Sequence, residues 1–590
     1  MREQSTFGKV VEFFDKRFKW HRFPTLLGVL ALIGIRNTLR ARNLFSTTKG
    51  SGVTAPVPPP PRHLVARTTD GSYNDLKHPT MGMARTRFGR NVPLELTKPE
   101  VPPRLFTPNP RTISDTLLLR HEFKPATTLN ILAAAWLQFE TRDWFSHGTD
   151  MEHPIRVPRP PGDDWPDDPM EWPSTPKDPT NHATDGSATF INTETHWWDA
   201  SQVYGSVPEF EKAIRTGTGG RVRIGDDGLI DVDPGLLGSS GGRDGWWVGL
   251  ELMHTLFMRE HNAICDRLAA AYRSWNDDQL FEKARLINAA LIAKIHTVEW
   301  TPAILGHPVL HIAMRANWWG IAEERVHDLV GRISSSDLIS GIPGSPTDHN
   351  GVPYAMTEEF VAVYRMHPLI PDDYEIRDVV TGTVNENLEF VDLHGLSSRA
   401  VLQRHSAANL FFSLGVANPG ALRLHNSPRF MHKLARDDGR LIDLAAIDVL
   451  RSRERGVPRY NEFRRLMHMA PVRSFEELGD DPETVAQLRE IYDDDLEDVD
   501  LMVGMLGEQL PRGFGFSDTA FRIFVLMASR RLKSDRFFGL DFNAKVYTPE
   551  GMAWIDGNDM SSVLTRHYPE LAPAVRGVRN AFAPWSLPGD

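Results

Sequence analysis

Residues Glu358 to Asp372, EEFVAVYRMHPLIPD, decide how the rest of this 590-residue chain is read. Tyr364 and His367 stand three positions apart, so on a helix they share a face and their side chains can approach one cofactor. Pro368 follows the histidine directly, which predicts that a helix over Thr357 to Met366 ends or bends there. A neutral imidazole at a helix end can ligate iron, and a tyrosine one turn earlier can pass an electron to it. The same spacing also suits an ordinary core helix, so the surrounding chain has to discriminate.

Composition removes several classes of function. With 77 acidic against 66 basic residues and a net charge of -11, the chain lacks the basic face that a polyphosphate partner requires, so no nucleic-acid partner is expected. Hydrophobic residues make up 41% and charged residues 24%, the balance of a globular protein with a substantial core. Cys265 is the single cysteine, which excludes intramolecular disulfides, cysteine-ligated iron–sulfur clusters and multi-thiolate zinc sites by counting. Any metal must rest on histidine, carboxylate, hydroxyl or backbone ligands.

Apolar residues recur at three- and four-residue intervals over Asn130–Phe145, Leu250–Ala271, Asp278–Ile304, Leu441–Ser452, Asp481–Tyr492 and Asp518–Leu532. Strand patterns are few and short, so the expected fold is mostly α, one large multi-helix catalytic domain over 130–590. Residues 51–129 are expected to form a Pro-rich connector, its first stretch ending in APVPPPPR at Arg62, and the first part of the body. A second Pro/Asp-rich stretch, His153 to Thr180, reads as a long surface loop. Residues 1–50 read as an interfacial membrane-binding segment. The apolar run Leu26–Ile35 falls short of the about 20 residues a bilayer span needs. Arg36, Arg40 and Arg42 follow it in place of a signal-peptide cleavage site. Phe13, Phe14, Phe18, Trp20 and Phe23 would enter lipid, while Lys16, Arg17, Lys19, His21 and Arg22 met headgroups. A cytoplasmic protein with peripheral, monotopic membrane association is expected.

Three further segments carry chemistry. In NTETHWWDASQVYGS, Asn192 to Ser206, the residues Thr195, Trp197, Asp199 and Ser201 alternate, and hydroxyl, carbonyl and carboxylate oxygens are hard ligands suited to Ca2+. QFETRDWFSH spans Gln138 to His147, with Arg142 and Asp143 adjacent. KIHTVEWTPAILG holds His296 and Thr301, and LMASRRLKSDRFF holds Arg530, Arg531 and Arg536. A guanidinium can grip a carboxylate bidentately, with histidine and threonine adding donors to the same oxygens.

Taken together, these segments resemble the cyclooxygenase and animal haem peroxidase superfamily, and within it the fatty-acid α-dioxygenases. The likeness runs from about Asn130 to the C-terminus through REHNAICDRL, VPRYNEFRR and LREIYDDDLEDVDLMVG, and the N-terminal RFPTLLGVLALIGIRNTLRARNLF resembles the membrane-facing start of the plant enzymes. The resemblance implies haem b with His367 as proximal iron ligand and Tyr364 as the radical that attacks a fatty acid at Cα, giving with O2 a 2-hydroperoxy fatty acid. It implies a calcium site from Asp143, Thr195, the Trp197 carbonyl, Asp199 and Ser201. It also implies that His296, Thr301 and Arg531, with Arg530 and Arg536 as alternatives, hold the substrate carboxylate. One position departs from the family: Arg142 stands where a distal histidine is expected, and an arginine stays protonated and accepts no proton from a peroxide. That departure leaves two alternatives, a haem oxygenase of the same family acting on a different substrate, and a haem-binding pseudoenzyme.

Overall fold

The computed structural model describes residues 5–589 apart from 48–59, 182–185, 232–244, 322–323, 325–330, 396 and 437–438. Most of the Pro-rich connector from Gly50 lies outside the described residues. Helices build the body as expected, and the sheets among the described residues are four two-stranded antiparallel ribbons. At the centre, Ile131–Trp144 packs on Val248–Ala271, which packs on Asp277–Ile295. From Leu286 to Ile295 every residue of the last helix is buried. Its apolar residues therefore surround the helix rather than forming a stripe, and each large aliphatic one contributes about 1.5–3 kcal/mol of burial. An Asn276/Gln279 capping box closes its start. The Lys294 ammonium near its end donates to the carbonyls of Ile555, Asp556 and Asn558 at 2.8, 2.8 and 3.1 Å, terminating the helix Pro549–Gly557.

The N-terminal pair of helices, Thr6–Phe18 and Thr25–Arg42, is moored to this body by one buried acid. Asp15 pairs with Arg522 at 2.6 Å and accepts from the Trp20 backbone at 2.8 Å. Gly34 lets the helices touch: a Cβ there would lie 2.6 Å from Cγ2 of Val11. Trp20, expected to enter lipid, is instead fully buried, donating to Asp518 at 3.0 Å and stacked on Phe521. Burial of the whole indole is tolerated because its N–H has a partner there. Phe7, Val10, Phe13, Phe14, Phe18, Leu26, Leu27 and Leu30 remain exposed. None of the described helices is long and apolar enough to cross a membrane.

Three local expectations change. The stretch read as a loop after His153 holds a β-ribbon, Asp150–Val157 against Met170–Ser174, whose Val157, Met170 and Trp172 pack into a separate apolar cluster with Trp165. The helix expected from Leu441 begins at Leu444, because Leu441–Ile442 pairs with Leu434–Ala435 and Asp443 caps the helix Leu444–Glu454. The helix Glu358–Val363 stops short of Met366.

Candidate active site

Thr357 caps the helix Glu358–Val363, accepting from the Phe360 backbone at 3.3 Å, and Tyr364 is the residue that ends it. His367 opens a separate 3-10 turn, His367–Leu369, with Pro368 in its first positions. Tyr364 and His367 therefore do not share a helix face. The break still leaves both on the wall of one cavity of about 370 Å³, along with Gln138, Arg142, Met366 and Asp448. Nδ1 of His367 lies 2.6 Å from Oδ2 of Asp448, which is buried on the helix Leu444–Glu454 and also faces Arg365 at 3.1 Å. An ionised carboxylate only accepts, so the imidazole carries its proton on Nδ1 and keeps the Nε2 lone pair for a metal. Asp448 was missed by sequence reasoning. Its signal was an acid amid the apolar face of AAIDVL.

The opposite charge dominates elsewhere on this wall. Arg142, Arg365, Arg436, Arg451 and Arg455 line it, and Asp448 is the only acid among the described lining residues. A bare imidazole nitrogen together with a cationic wall fits an iron porphyrin and its two propionates. Arg142 lies 5.5 Å from the Trp246 ring, and burial pushes its guanidinium down to about 10, still cationic at neutral pH. Gln138 is locked, donating to the Gly245 carbonyl at 3.1 Å and accepting from Trp247 at 2.7 Å. His147 lies beyond the helix Ile131–Trp144, stacked on Phe88 and bonded to Glu358 at 2.9 Å. Burial holds it neutral, down to about 4.

His296 and Thr301 flank a π-helical turn, His296–Trp300, between two α-helical stretches. Their five-residue spacing is the period of that turn: Thr301 Oγ1 donates to the His296 carbonyl at 2.8 Å. Nδ1 of His296 accepts from Trp136 at 3.1 Å, so Nε2 bears the proton and can donate to an anion. Burial and the Arg531 charge hold this imidazole well below its ordinary range, hence neutral. Arg531 lies between two indoles, 4.8 Å from the Trp144 ring and 4.7 Å from Trp198. The same two rings touch His296 at 5.1 and 5.3 Å, and Trp144 touches Tyr364 at 5.2 Å. Burial, reinforced by Glu140 against the effect of Arg531, raises the Tyr364 phenol above its ordinary range. Arg530 turns away to the carbonyls of His349, Val352 and Pro353, and Arg536 to those of His63, Leu64 and Tyr73. Trp144 and Trp198, which gather this cluster, carried no sequence signal beyond adjoining the candidate calcium residues.

Those calcium residues converge as well. Asp143 Oδ1 accepts from the Ser201 backbone and hydroxyl at 2.5 and 2.9 Å, and the left-handed Ala200, φ 61°, turns the chain back to it. Burial and then Asp199 push Asp143 up to about 8, and burial raises Asp199. Asp143 Oδ2, Asp199 Oδ1 and Thr195 Oγ1 are buried with no hydrogen-bond partner. Orphaned oxygens on neighbouring carboxylates fit a hard divalent cation. No group of three or more His, Cys, Asp or Glu that could hold a metal occurs among the described residues, so two carboxylates, hydroxyls and a carbonyl are what this loop offers.

Comparison with known proteins gives this geometry its setting. The animal haem peroxidase pattern matches residues 66–581. An α-dioxygenase from Oryza sativa subsp. japonica is 38% identical over 99% of this chain and 96% of its own length. α-Dioxygenase 2 of Arabidopsis thaliana is 37% identical over 98% and 92%. A crystal structure of a variant Oryza sativa fatty acid α-dioxygenase with palmitic acid superposes with a TM-score of 0.91 at 36% identity, covering 99% of this chain and 98% of that one. The chain belongs to the animal haem peroxidase family, in its α-dioxygenase branch, and is a haem-dependent oxidoreductase.

Proposed function

We propose that this enzyme inserts O2 at Cα of a fatty acid, with Tyr364 as the hydrogen-abstracting residue, His367 as the haem ligand and Arg531 and His296 as the carboxylate clamp, joined by Thr301 when its hydroxyl turns from the His296 carbonyl to the bound acid. The observation that carries the reading is the shared Trp144 ring, packed on Tyr364 at 5.2 Å and on Arg531 at 4.8 Å. A carboxylate gripped at Arg531 presents its own Cα, and no mid-chain carbon, to the phenol. The relative crystallised with palmitic acid supports a long-chain acid as substrate.

A haem held at His367 would supply, once oxidised by a hydroperoxide that is itself reduced, the one-electron oxidant to which the Tyr364 hydroxyl gives up an electron and a proton. The phenoxyl oxygen then takes a hydrogen atom from Cα, restoring the phenol and leaving a carbon radical. O2 adds there, and the peroxyl product recovers a hydrogen atom from Tyr364, so acid plus O2 gives the 2-hydroperoxy acid and the phenoxyl again. His296 donates from Nε2 while neutral, Arg531 provides the permanent charge, and the indoles exclude water from the pair. Arg142 contributes fixed positive charge and hydrogen-bond donors to the cavity and takes no proton.

Asp143, Thr195, the Trp197 carbonyl, Asp199 and Ser201 are proposed to hold Ca2+, supported by the orphaned carboxylate and hydroxyl oxygens. Peripheral membrane association is proposed through the exposed phenylalanines and leucines of the first two helices, which would admit substrate from a bilayer. The decisive experiment is oxygen uptake with palmitic acid and mass spectrometry of the product. Tyr364→Phe should abolish uptake and keep the haem spectrum. Uptake at the unmodified rate in that variant removes the radical assignment, and an unchanged spectrum in His367→Ala moves the ligand elsewhere.

A further inference from the structure

We infer that Asp448 is a positioning residue that makes His367 a more strongly donating ligand, with Arg365 setting how much of that charge reaches the imidazole. The inference rests on the proposed reading of His367 as haem ligand. The His367 Nδ1 to Asp448 Oδ2 distance of 2.6 Å is at the short end for a charge-assisted bond, and the carboxylate is buried, its side chain 4% exposed. Its partners are unequal. The imidazole takes Oδ2 at 2.6 Å, while Arg365 Nη1 stands 3.1 Å from Oδ1. Arg451 shares the same helix but turns its guanidinium to Glu454 at 2.8 Å and to Thr175 at 2.9 Å. One carboxylate is thus divided between the ligand and one guanidinium.

A carboxylate acceptor draws the Nδ1 proton toward itself, raises the basicity of Nε2 and stabilises ferric over ferrous iron, which a neutral acceptor does far less. The surroundings make this the available lever. On the same wall Arg142 remains cationic and accepts no proton, and His147 is committed to Glu358. Electron donation from the ligand side is then the contribution this chain can still make to iron chemistry.

The two partners give opposite expectations. In Asp448→Asn holoenzyme the ferrous iron–imidazole stretching frequency falls and the midpoint potential moves positive, while haem affinity weakens by about 10- to 100-fold. In Arg365→Leu the carboxylate turns wholly to the imidazole, the frequency rises and the potential moves negative. The stretching frequency separates this from a distant charge effect, which moves the potential alone. An unchanged frequency in both variants overturns the inference, whatever the potentials do. Should Asp448→Asn fail to retain haem, the rise or constancy of the frequency in Arg365→Leu decides. An unchanged wild-type-like spectrum in His367→Ala overturns instead the reading on which the inference rests.

Discussion

Replacing Arg531 by lysine removes what a point charge cannot supply to the proposed clamp. The guanidinium lies between rings at 4.8 and 4.7 Å, and a lysine keeps the charge but neither fills that slot as a plate nor offers two parallel N–H donors to one carboxylate. It also leaves Asp143, 3.6 Å away, with a cation opposite it, so the neighbouring loop is not stripped of its compensation. One charge-assisted hydrogen bond contributes about 1.5–3 kcal/mol. The lost stacking adds about 0.5–1 kcal/mol. A total of about 2–4 kcal/mol lowers kcat/KM for palmitic acid by about 30- to 900-fold. The assay is oxygen uptake with the acid and with its methyl ester, on protein whose haem spectrum matches the unmodified enzyme. The loss should fall on the acid and leave any uptake with the ester nearly unchanged. Retention of the acid activity within about threefold refutes the clamp, and an equal loss on both substrates shows that Arg531 only supports the indoles.

Buried neutral histidines make the fold acid-sensitive. Burial lowers His147 and His261 to about 4 and His196, His254 and His432 to about 3. Unfolded imidazoles titrate near about 6.5, so below that pH the unfolded chain binds more protons and stability falls by about 1.4 kcal/mol per group per pH unit. Thermal melts should give a Tm nearly level above pH 7 and dropping steeply from pH 6.5 to 5, and a level profile down to pH 5 contradicts this. At the proposed calcium loop the sign is reversed: Asp143 and Asp199 are raised, so metal-free protein loses stability as pH rises from the unfolded carboxylate value of about 3.9 toward about 8. Chelation should lower Tm, more at pH 8 than at pH 6. No metal in dialysed protein together with an unchanged Tm at both values removes the site. Leu26→Asp combined with Leu30→Asp should abolish co-sedimentation with anionic vesicles and leave oxygen uptake in detergent intact, and undiminished sedimentation rules out this face.

Legibility followed the physics of each element. The interior helices were readable because continuous apolar periodicity has few other solutions, and Asp277–Ile295 and Asp518–Ser534 begin within a residue of the expected positions. The Asp150–Val157 ribbon was not, since its prolines and charges resemble a loop until Val157, Met170 and Trp172 find a common apolar cluster. Tyr364 and His367 were singled out for a reason that did not survive, a shared helix face. They meet at the cavity because the chain breaks between them and a 3-10 turn re-aims the histidine. Asp448 and the Trp144/Trp198 pair came from distant segments, and only tertiary packing could disclose what they touch.

The proposed cation loop and the proposed clamp are two faces of the same short stretches. Asp143 and Trp144 are sequence neighbours, as are Trp197 and Trp198. Asp143 is bonded to Ser201, while Trp144 and Trp198 enclose Arg531. Arg531 reaches across to Asp143 at 3.6 Å and to the Trp197 carbonyl at 3.5 Å, so its guanidinium touches both. A divalent ion at the loop would compete for both oxygens and free the arginine's donors for a substrate carboxylate. Without the ion, Arg531 is the nearest available countercharge for Asp143. Calcium would then act on kcat/KM for the acid through Arg531, in addition to any effect on stability, and that dependence should vanish in Arg531→Met, which leaves no cation at this position to pair with Asp143. A calcium effect of equal size on the acid and the methyl ester would show that the two faces are mechanically joined but electrostatically separate.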